Sequence, residues 1–232
     1  MKQTVYILHG WAIDEANEKK WQAFRELLQE QGIASKFLPI PGLTTKLDEV
    51  WTLDSYVSWL ESQLPKNESV ILLGHSFGGQ ISCQFAAQNP ERMTKLILID
   101  SAGMIDRSFK KVLKRSIFKT AAVLGKPVFK HEFFRNVLYK LAREQDYLKA
   151  NETQRQTMAN VINTEILDYL PQILCPTLIV WGEHDMTTPV KFAKQFKSLL
   201  QNSTLYIVKG ARHSPQFTHQ AETAAVIGAF LK

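Results

Sequence analysis

The run Val70-Ile71-Leu72-Leu73-Gly74-His75-Ser76-Phe77-Gly78-Gly79 sets the reading of everything around it. Residues 70–73 are four apolar side chains in a row, a short buried strand. Beyond the run, Ile81, Phe85 and Ala86 recur at helical spacing until Asn89-Pro90 stops the pattern. Between strand and helix lies Gly74-His75-Ser76-Phe77-Gly78, a Gly-x-Ser-x-Gly turn. So sharp a turn strains the serine backbone, and a side chain at 74 or 78 would strike the adjoining strand and helix. The product is a nucleophile elbow, with the Ser76 hydroxyl clear of the sheet and the first helical amides facing whatever it attacks. Gly-x-Ser-x-Gly by itself also describes ordinary turns with a capping serine. The strand before it and the helix after it favour the nucleophile.

Outward from the elbow, strands and helices alternate. Strands are expected at 4–8, 34–38, 70–73, 96–99, 177–181 and 203–208. Helices are expected at 21–31, 55–64 (capped by Asp54), 189–200 and 221–230. Such alternation calls for parallel strands, right-handed crossovers and helices on both faces. The expected fold is α/β: a mostly parallel, six-stranded, doubly wound sheet built from 1–103 and 166–232, with 104–165 inserted as a second unit. Reactive groups in such sheets gather at the carboxyl ends of the strands. Three candidates end strands there: Ser76, Asp185 and His213.

A serine hydroxyl attacks only when a base takes its proton, and a neutral imidazole does this near pH 7. A carboxylate on the far ring nitrogen fixes the tautomer and stabilises the imidazolium. Of the six histidines, only His213 follows a late strand in a glycine-containing loop, Gly210-Ala211-Arg212-His213. His9, His75, His131, His184 and His219 are its rivals. Asp185, at the end of Trp181-Gly182-Glu183-His184-Asp185, leads Glu183 as the acid, and Asp100 at the end of another strand is the reserve. The chain order Ser76, Asp185, His213 is one of the known orders of this constellation. The developing oxyanion needs two donors, and the backbone amides of Phe77, just past the nucleophile, and Trp11, after the first strand, are placed to supply them. Glu183-His184-Asp185 is not a metal site on this reading, because no His-Glu-x-x-His spacing or cysteine pair completes it. Neither a metal nor another cofactor is expected.

Composition bounds the rest. A length of 232 residues, 45% hydrophobic and 22% charged, suits one globular domain carrying an insertion. No apolar run approaches the ~18 residues of a membrane span, and Met1-Lys2-Gln3 leads into a strand rather than a signal peptide. Cys83 and Cys175 both sit among apolar neighbours and read as buried thiols, which suits a reducing, cytoplasmic setting. The net charge of +6 is concentrated: residues 103–165 hold 13 Lys/Arg against 6 Asp/Glu, and the remainder 15 against 16.

Taken together, His9-Gly10-Trp11, the elbow, the strand ending at Asp100, the run from Pro176 through Asp185 to Pro189, and Gly210 to Pro215 carry a family likeness. Nearly the whole chain resembles an α/β-hydrolase-fold serine hydrolase. The resemblance implies a triad of Ser76, Asp185 and His213, with Trp11 and Phe77 as oxyanion donors. It also implies hydrolysis of carboxylic esters or thioesters of a small-molecule acyl substrate through an acyl-serine intermediate. The same skeleton serves C–C bond hydrolases and low-turnover receptors, so those readings stay open. Two departures stand out. The chain starts at what corresponds to the third strand of the family, without the two leading strands, and Ala12-Ile13-Asp14-Glu15 replaces further glycines after Gly10.

In the family, a helical cap follows the strand ending at Asp100, and 104–165 resembles one. Phe109, Val112, Leu113 and Ile117, then Phe133, Phe134, Val137, Leu138 and Leu141, recur at helical spacing. Its lysines and arginines read plainly as a solvated outer face. The sharper reading is a landing surface for an anionic partner, such as an acidic carrier protein, a phosphate-bearing acyl donor or a lipid surface. No nucleic-acid-binding motif accompanies the charge.

Overall fold

A computed structural model of the protein describes residues 4–14, 16–105 and 150–232. Six strands form one sheet in the order β2-β1-β3-β4-β5-β6: β1 Thr4–Leu8, β2 Ala34–Leu38, β3 Val70–His75, β4 Met93–Ile99, β5 Thr177–Gly182 and β6 Ser203–Val208. Every neighbouring pair runs parallel. The expected six-stranded doubly wound sheet is thus present, and all its strands are parallel.

Strand sequences show why both faces must be covered. Leu72, Leu96, Leu98, Ile179 and Trp181 enter one apolar core, while Ile71, Leu73, Ile97, Ile99, Leu178 and Val180 enter the other. Adjacent residues of a strand point to opposite faces, so a continuous apolar run feeds two cores at once. Helices α1 Asn17–Glu30 and α7 Gln220–Leu231 close the second core through Trp21, Phe24, Leu28, Ala224 and Ile227. Helices α2 Leu53–Gln63, α3 Phe77–Gln88 and α5 Lys191–Leu199 close the first, with Tyr56, Leu60, Ile81, Phe85 and Phe196.

Some boundaries move. Helix α1 begins at Asn17, four residues before the expected start at 21. Thr52, not Asp54, caps α2: its hydroxyl accepts from the Ser55 amide while Ser55 Oγ accepts from the Thr52 amide. Asp54 lies one step inside the helix and accepts instead from Gln84 Nε2 of α3. The short helix α6 Pro215–Thr218 was not expected at all.

The apolar stripes expected around 109–117 and 133–141 lie outside the described residues. Of the expected cap, the far end is described: α4 Glu152–Ile162, opened by a reciprocal Asn151–Gln154 capping box. It is tied to the core from three sides. Gln80 Nε2 of α3 donates to the Val161 and Thr164 carbonyls, Gln154 Nε2 to the Gly42 carbonyl, and the Trp51 amide to Thr157 Oγ1.

The strand order reverses between β1 and β3. In an open parallel sheet the loops leaving the strands part at that point and leave a crevice. No helix among the described residues is long and apolar enough to cross a membrane. Both cysteines are buried and free.

Candidate active site

Three non-glycine residues carry positive φ among the described residues: Ser76 at 52°, Asp100 at 44° and Ser214 at 138°. They follow β3, β4 and β6 respectively, so backbone strain is gathered at one rim of the sheet. At the elbow the Ser76 amide donates to the Ile99 carbonyl at 3.0 Å, and the Ser76 carbonyl accepts from the Ala102 amide at 2.9 Å. The turn has no room for side chains beside the serine. A Cβ on Gly74 would lie 2.5 Å from Gly79 Cα, and one on Gly78 would lie 2.2 Å from the Leu8 carbonyl oxygen.

Across the rim, His213 and Asp185 meet. His213 Nδ1 lies 2.8 Å from Asp185 Oδ2, and the carboxylate is fully buried while the imidazole is 21% exposed. The Thr187 and Thr188 amides donate to Asp185 Oδ1, and Thr188 Oγ1 donates to Oδ2 at 2.7 Å. Burial pushes the Asp185 carboxyl up, but the His213 imidazole and these Thr188 bonds outweigh it and hold the group below the usual carboxylate range. Asp185 is therefore the anion, and an acceptor at that place requires a proton on His213 Nδ1. The second ring nitrogen is left to act as a base.

Asp100 lies beside this pair and is shifted the opposite way. Its Oδ1 accepts from the Gly182 amide at 2.8 Å, and the carboxyl is buried against the Ser214 backbone and the Asp185 carboxylate. Burial and the neighbouring Asp185 charge push its carboxyl well above the usual range. Glu183 accepts from the Gly210 amide at 2.9 Å, turned away to the exposed side.

The other histidines have separate lives. His75 is buried, with its ring 5.1 Å from that of His213 and its Nε2 3.3 Å from Ser214 Oγ. Burial, then the nearby His213 and His9, hold it neutral. His9 is fully buried and stacked on Phe37. His184 is exposed beside Glu183, His219 pairs with Thr218 Oγ1, and His131 lies outside the described residues. Ligating atoms of His75, Asp100 and His213 lie within 4.8 Å of one another. That is a looser set than the roughly 3.4 Å between ligands on a tetrahedral zinc with bonds of about 2.1 Å. The hydrogen bond from His213 to Asp185 already engages one of its members.

The two expected oxyanion donors lie on neighbouring segments. Phe77 is the first residue of α3, so its amide has no intrahelical acceptor. The Trp11 amide meets no acceptor among the described residues. The loop after β1 is pinned to the elbow by the Gly78 amide, which donates to the His9 carbonyl at 3.1 Å, and the Trp11 and Phe77 rings lie 5.5 Å apart. Sequence reasoning missed Thr188, whose hydroxyl and amide both grip Asp185. The signal was there in Asp185-Met186-Thr187-Thr188-Pro189, an aspartate opening a turn onto its own following amides.

A family profile described as alpha/beta hydrolase fold matches residues 4–220. The pimeloyl-[acyl-carrier protein] methyl ester esterase of Aliivibrio salmonicida (strain LFI1238) is 24% identical over 246 residues, which cover 97% of this chain and 91% of that protein. The biotin biosynthesis bifunctional protein of Teredinibacter turnerae (strain ATCC 39867 / T7901) is 22% identical over 270 residues. That match covers 100% of this chain and 45% of the relative, so the chain spans about half of that protein. Among solved structures, a membrane phospholipase A superposes with a TM-score of 0.74 at 23% identity, covering 99% of this chain and 78% of the other.

Proposed function

Because this chain belongs to the alpha/beta hydrolase fold family, we propose that it is a serine hydrolase that cleaves carboxylic ester or thioester bonds of acyl substrates. Ser76 Oγ attacks the acyl carbonyl while His213 takes the hydroxyl proton. The Trp11 and Phe77 amides hold the negative oxygen of the tetrahedral intermediate. His213 then returns the proton to the leaving alcohol or thiol, and acyl-Ser76 remains. A water activated by the same imidazole releases the acid. Asp185 keeps His213 in the required tautomer throughout.

The observation that carries this reading is the partly buried 2.8 Å contact between Asp185 and His213, 28 residues apart in sequence, at the rim where the elbow stands. The test is Ser76→Ala assayed on p-nitrophenyl butyrate. Turnover should fall to background, and retention of native turnover would reject the assignment.

The substrate reading goes one step further. One relative is named for a methyl ester on an acyl-carrier protein, and the present chain holds 13 Lys/Arg against 6 Asp/Glu in 103–165. Both features support an acyl ester presented by an acidic carrier to that basic segment, which would act as a cap over the site. Two free, buried cysteines support a reducing, cytoplasmic setting.

A further inference from the structure

His9 ends the loop of contacts that fixes the crevice, yet the reaction as written gives it no part. Its backbone is held from one side, where its carbonyl accepts from the Gly78 amide of the elbow helix. Its ring is held from three others. The Ile40 amide points at Nε2 at 3.3 Å, the Gly10 carbonyl lies 2.8 Å from Nδ1, and the Asn17 side-chain amide lies 2.8 Å from the same nitrogen.

These partners settle where the ring proton is. A backbone N–H can only donate, so Nε2 is an acceptor and carries no hydrogen. In a neutral ring the proton then sits on Nδ1, where the Gly10 carbonyl, which can only accept, receives it. The oxygen and nitrogen of an amide are told apart only by their partners, so Asn17 turns its Oδ1 to the same proton. A charged ring would set an Nε2–H against the Ile40 N–H. Burial agrees with the neutral form, pushing the ring down to about 4 from 6.5.

The Gly10 carbonyl is one half of a peptide unit whose other half is the Trp11 N–H. All peptides among the described residues are trans, and in a planar trans unit C=O and N–H point in opposite directions. A ring that grips the carbonyl therefore points the N–H away from itself. The unit is also pressed against the elbow: a Cβ on Gly10 would lie 2.8 Å from His75 Nδ1 and 3.1 Å from Ser76 Cβ.

We propose that His9 is a positioning residue for oxyanion binding: its Nδ1–H holds the Gly10 carbonyl and, through the rigid Gly10–Trp11 peptide, aims the Trp11 N–H at the substrate oxygen. The proposal rests on the serine-hydrolase reading above. It assigns His9 no contact with substrate and no proton transfer.

Two isosteres separate the halves of the ring. In His9→Asn the side-chain amide nitrogen stands where Nδ1 was and still reaches the Gly10 carbonyl. In His9→Gln the amide reaches the Nε2 position, keeps a partner for Ile40 and leaves the Gly10 carbonyl unheld. On p-nitrophenyl butyrate, His9→Asn should keep kcat within about threefold, whereas His9→Gln should lose about 10- to 100-fold in kcat with little change in KM. An aryl trifluoromethyl ketone, whose serine adduct carries the same oxyanion, should bind His9→Gln more weakly by the same factor. Native kcat in His9→Gln, or equal losses in both variants with unchanged ketone affinity, overturns the proposal. Should either variant fail to fold, nitrogen NMR of the native protein at pH 7 decides: His9 protonated on Nδ1 alone supports it, and a proton on Nε2 overturns it. Turnover surviving in Ser76→Ala removes the hydrolase reading and this inference with it. Ser76→Ala inactive with native kcat in His9→Gln removes this inference alone.

Discussion

Two carboxyl groups stand under one imidazole, and what separates them is the number of donors each can reach. Asp185 receives Thr187, Thr188 and His213, whereas Asp100 accepts from backbone amides alone and faces the Asp185 charge. Removing the charge of the first and of the second should therefore have unequal consequences. Asp185→Asn should lower kcat by about 10³- to 10⁴-fold, because an amide there misdirects the His213 tautomer. Asp100→Asn should leave kcat within about threefold, since burial and the Asp185 charge already favour its neutral form. Stability should respond as well. Asp100 holds its proton above the usual carboxylate range, so its contribution is full below the unfolded value of about 3.9 and is lost as pH rises toward the raised one. Asn does not titrate, and melting scans should show Asp100→Asn gaining on the native protein as pH rises above about 4. His9 works the other way. Its folded value near 4, against 6.5, means that stability is full above 6.5 and lost as pH falls toward 4. The loss totals about 3 kcal/mol by linkage. Urea titrations of the native protein and His9→Asn should converge in acid by that margin.

At the scale of elements, what could be read in the chain was whatever local pattern alone dictates. Residues 70–73 and 178–181 are apolar without a break, and such short runs bounded by turn residues suit strands of a doubly covered sheet. The elbow glycines were equally legible, because their lack of side chains has a purely steric cause. Gly78→Ala tests that cause: its methyl would meet the Leu8 carbonyl at 2.2 Å. The variant should lose about 3 kcal/mol of stability, as overpacked sites do, together with its activity. What could not be read depended on partners distant in sequence. Asp54 looks like a cap for α2 until Gln84, on another helix, takes its carboxylate and leaves the capping to Thr52. Thr52→Ala should cost about 1 kcal/mol in melting or urea experiments. Similarly, the opposite shifts of Asp100 and Asp185 follow from β4 and β5 lying side by side, which no spacing reveals. The helix at 215–218 is only four residues long and leaves no periodic trace.

For the molecule as a whole, topology explains how the site is assembled. The loop bearing Trp11 leaves β1 and the elbow leaves β3, adjacent strands on either side of the point where the sheet order reverses. β5 and β6 bring Asp185 and His213 to the same rim from farther along the sheet. Charge is the second property at this scale, since 103–165 carries the whole positive excess. If an acidic carrier docks there, raising salt should depress kcat/KM for a carrier-borne ester while leaving p-nitrophenyl butyrate unaffected, because screening acts on the long-range attraction alone. Equal salt effects on both substrates would remove the carrier from the account. The central claim, an activated Ser76, is most directly tested by intact-mass and peptide analysis after treatment with a fluorophosphonate. The account predicts a single adduct on Ser76, absent in Ser76→Ala and formed far more slowly in His213→Ala. An adduct on another residue, or one that survives in Ser76→Ala, would contradict it.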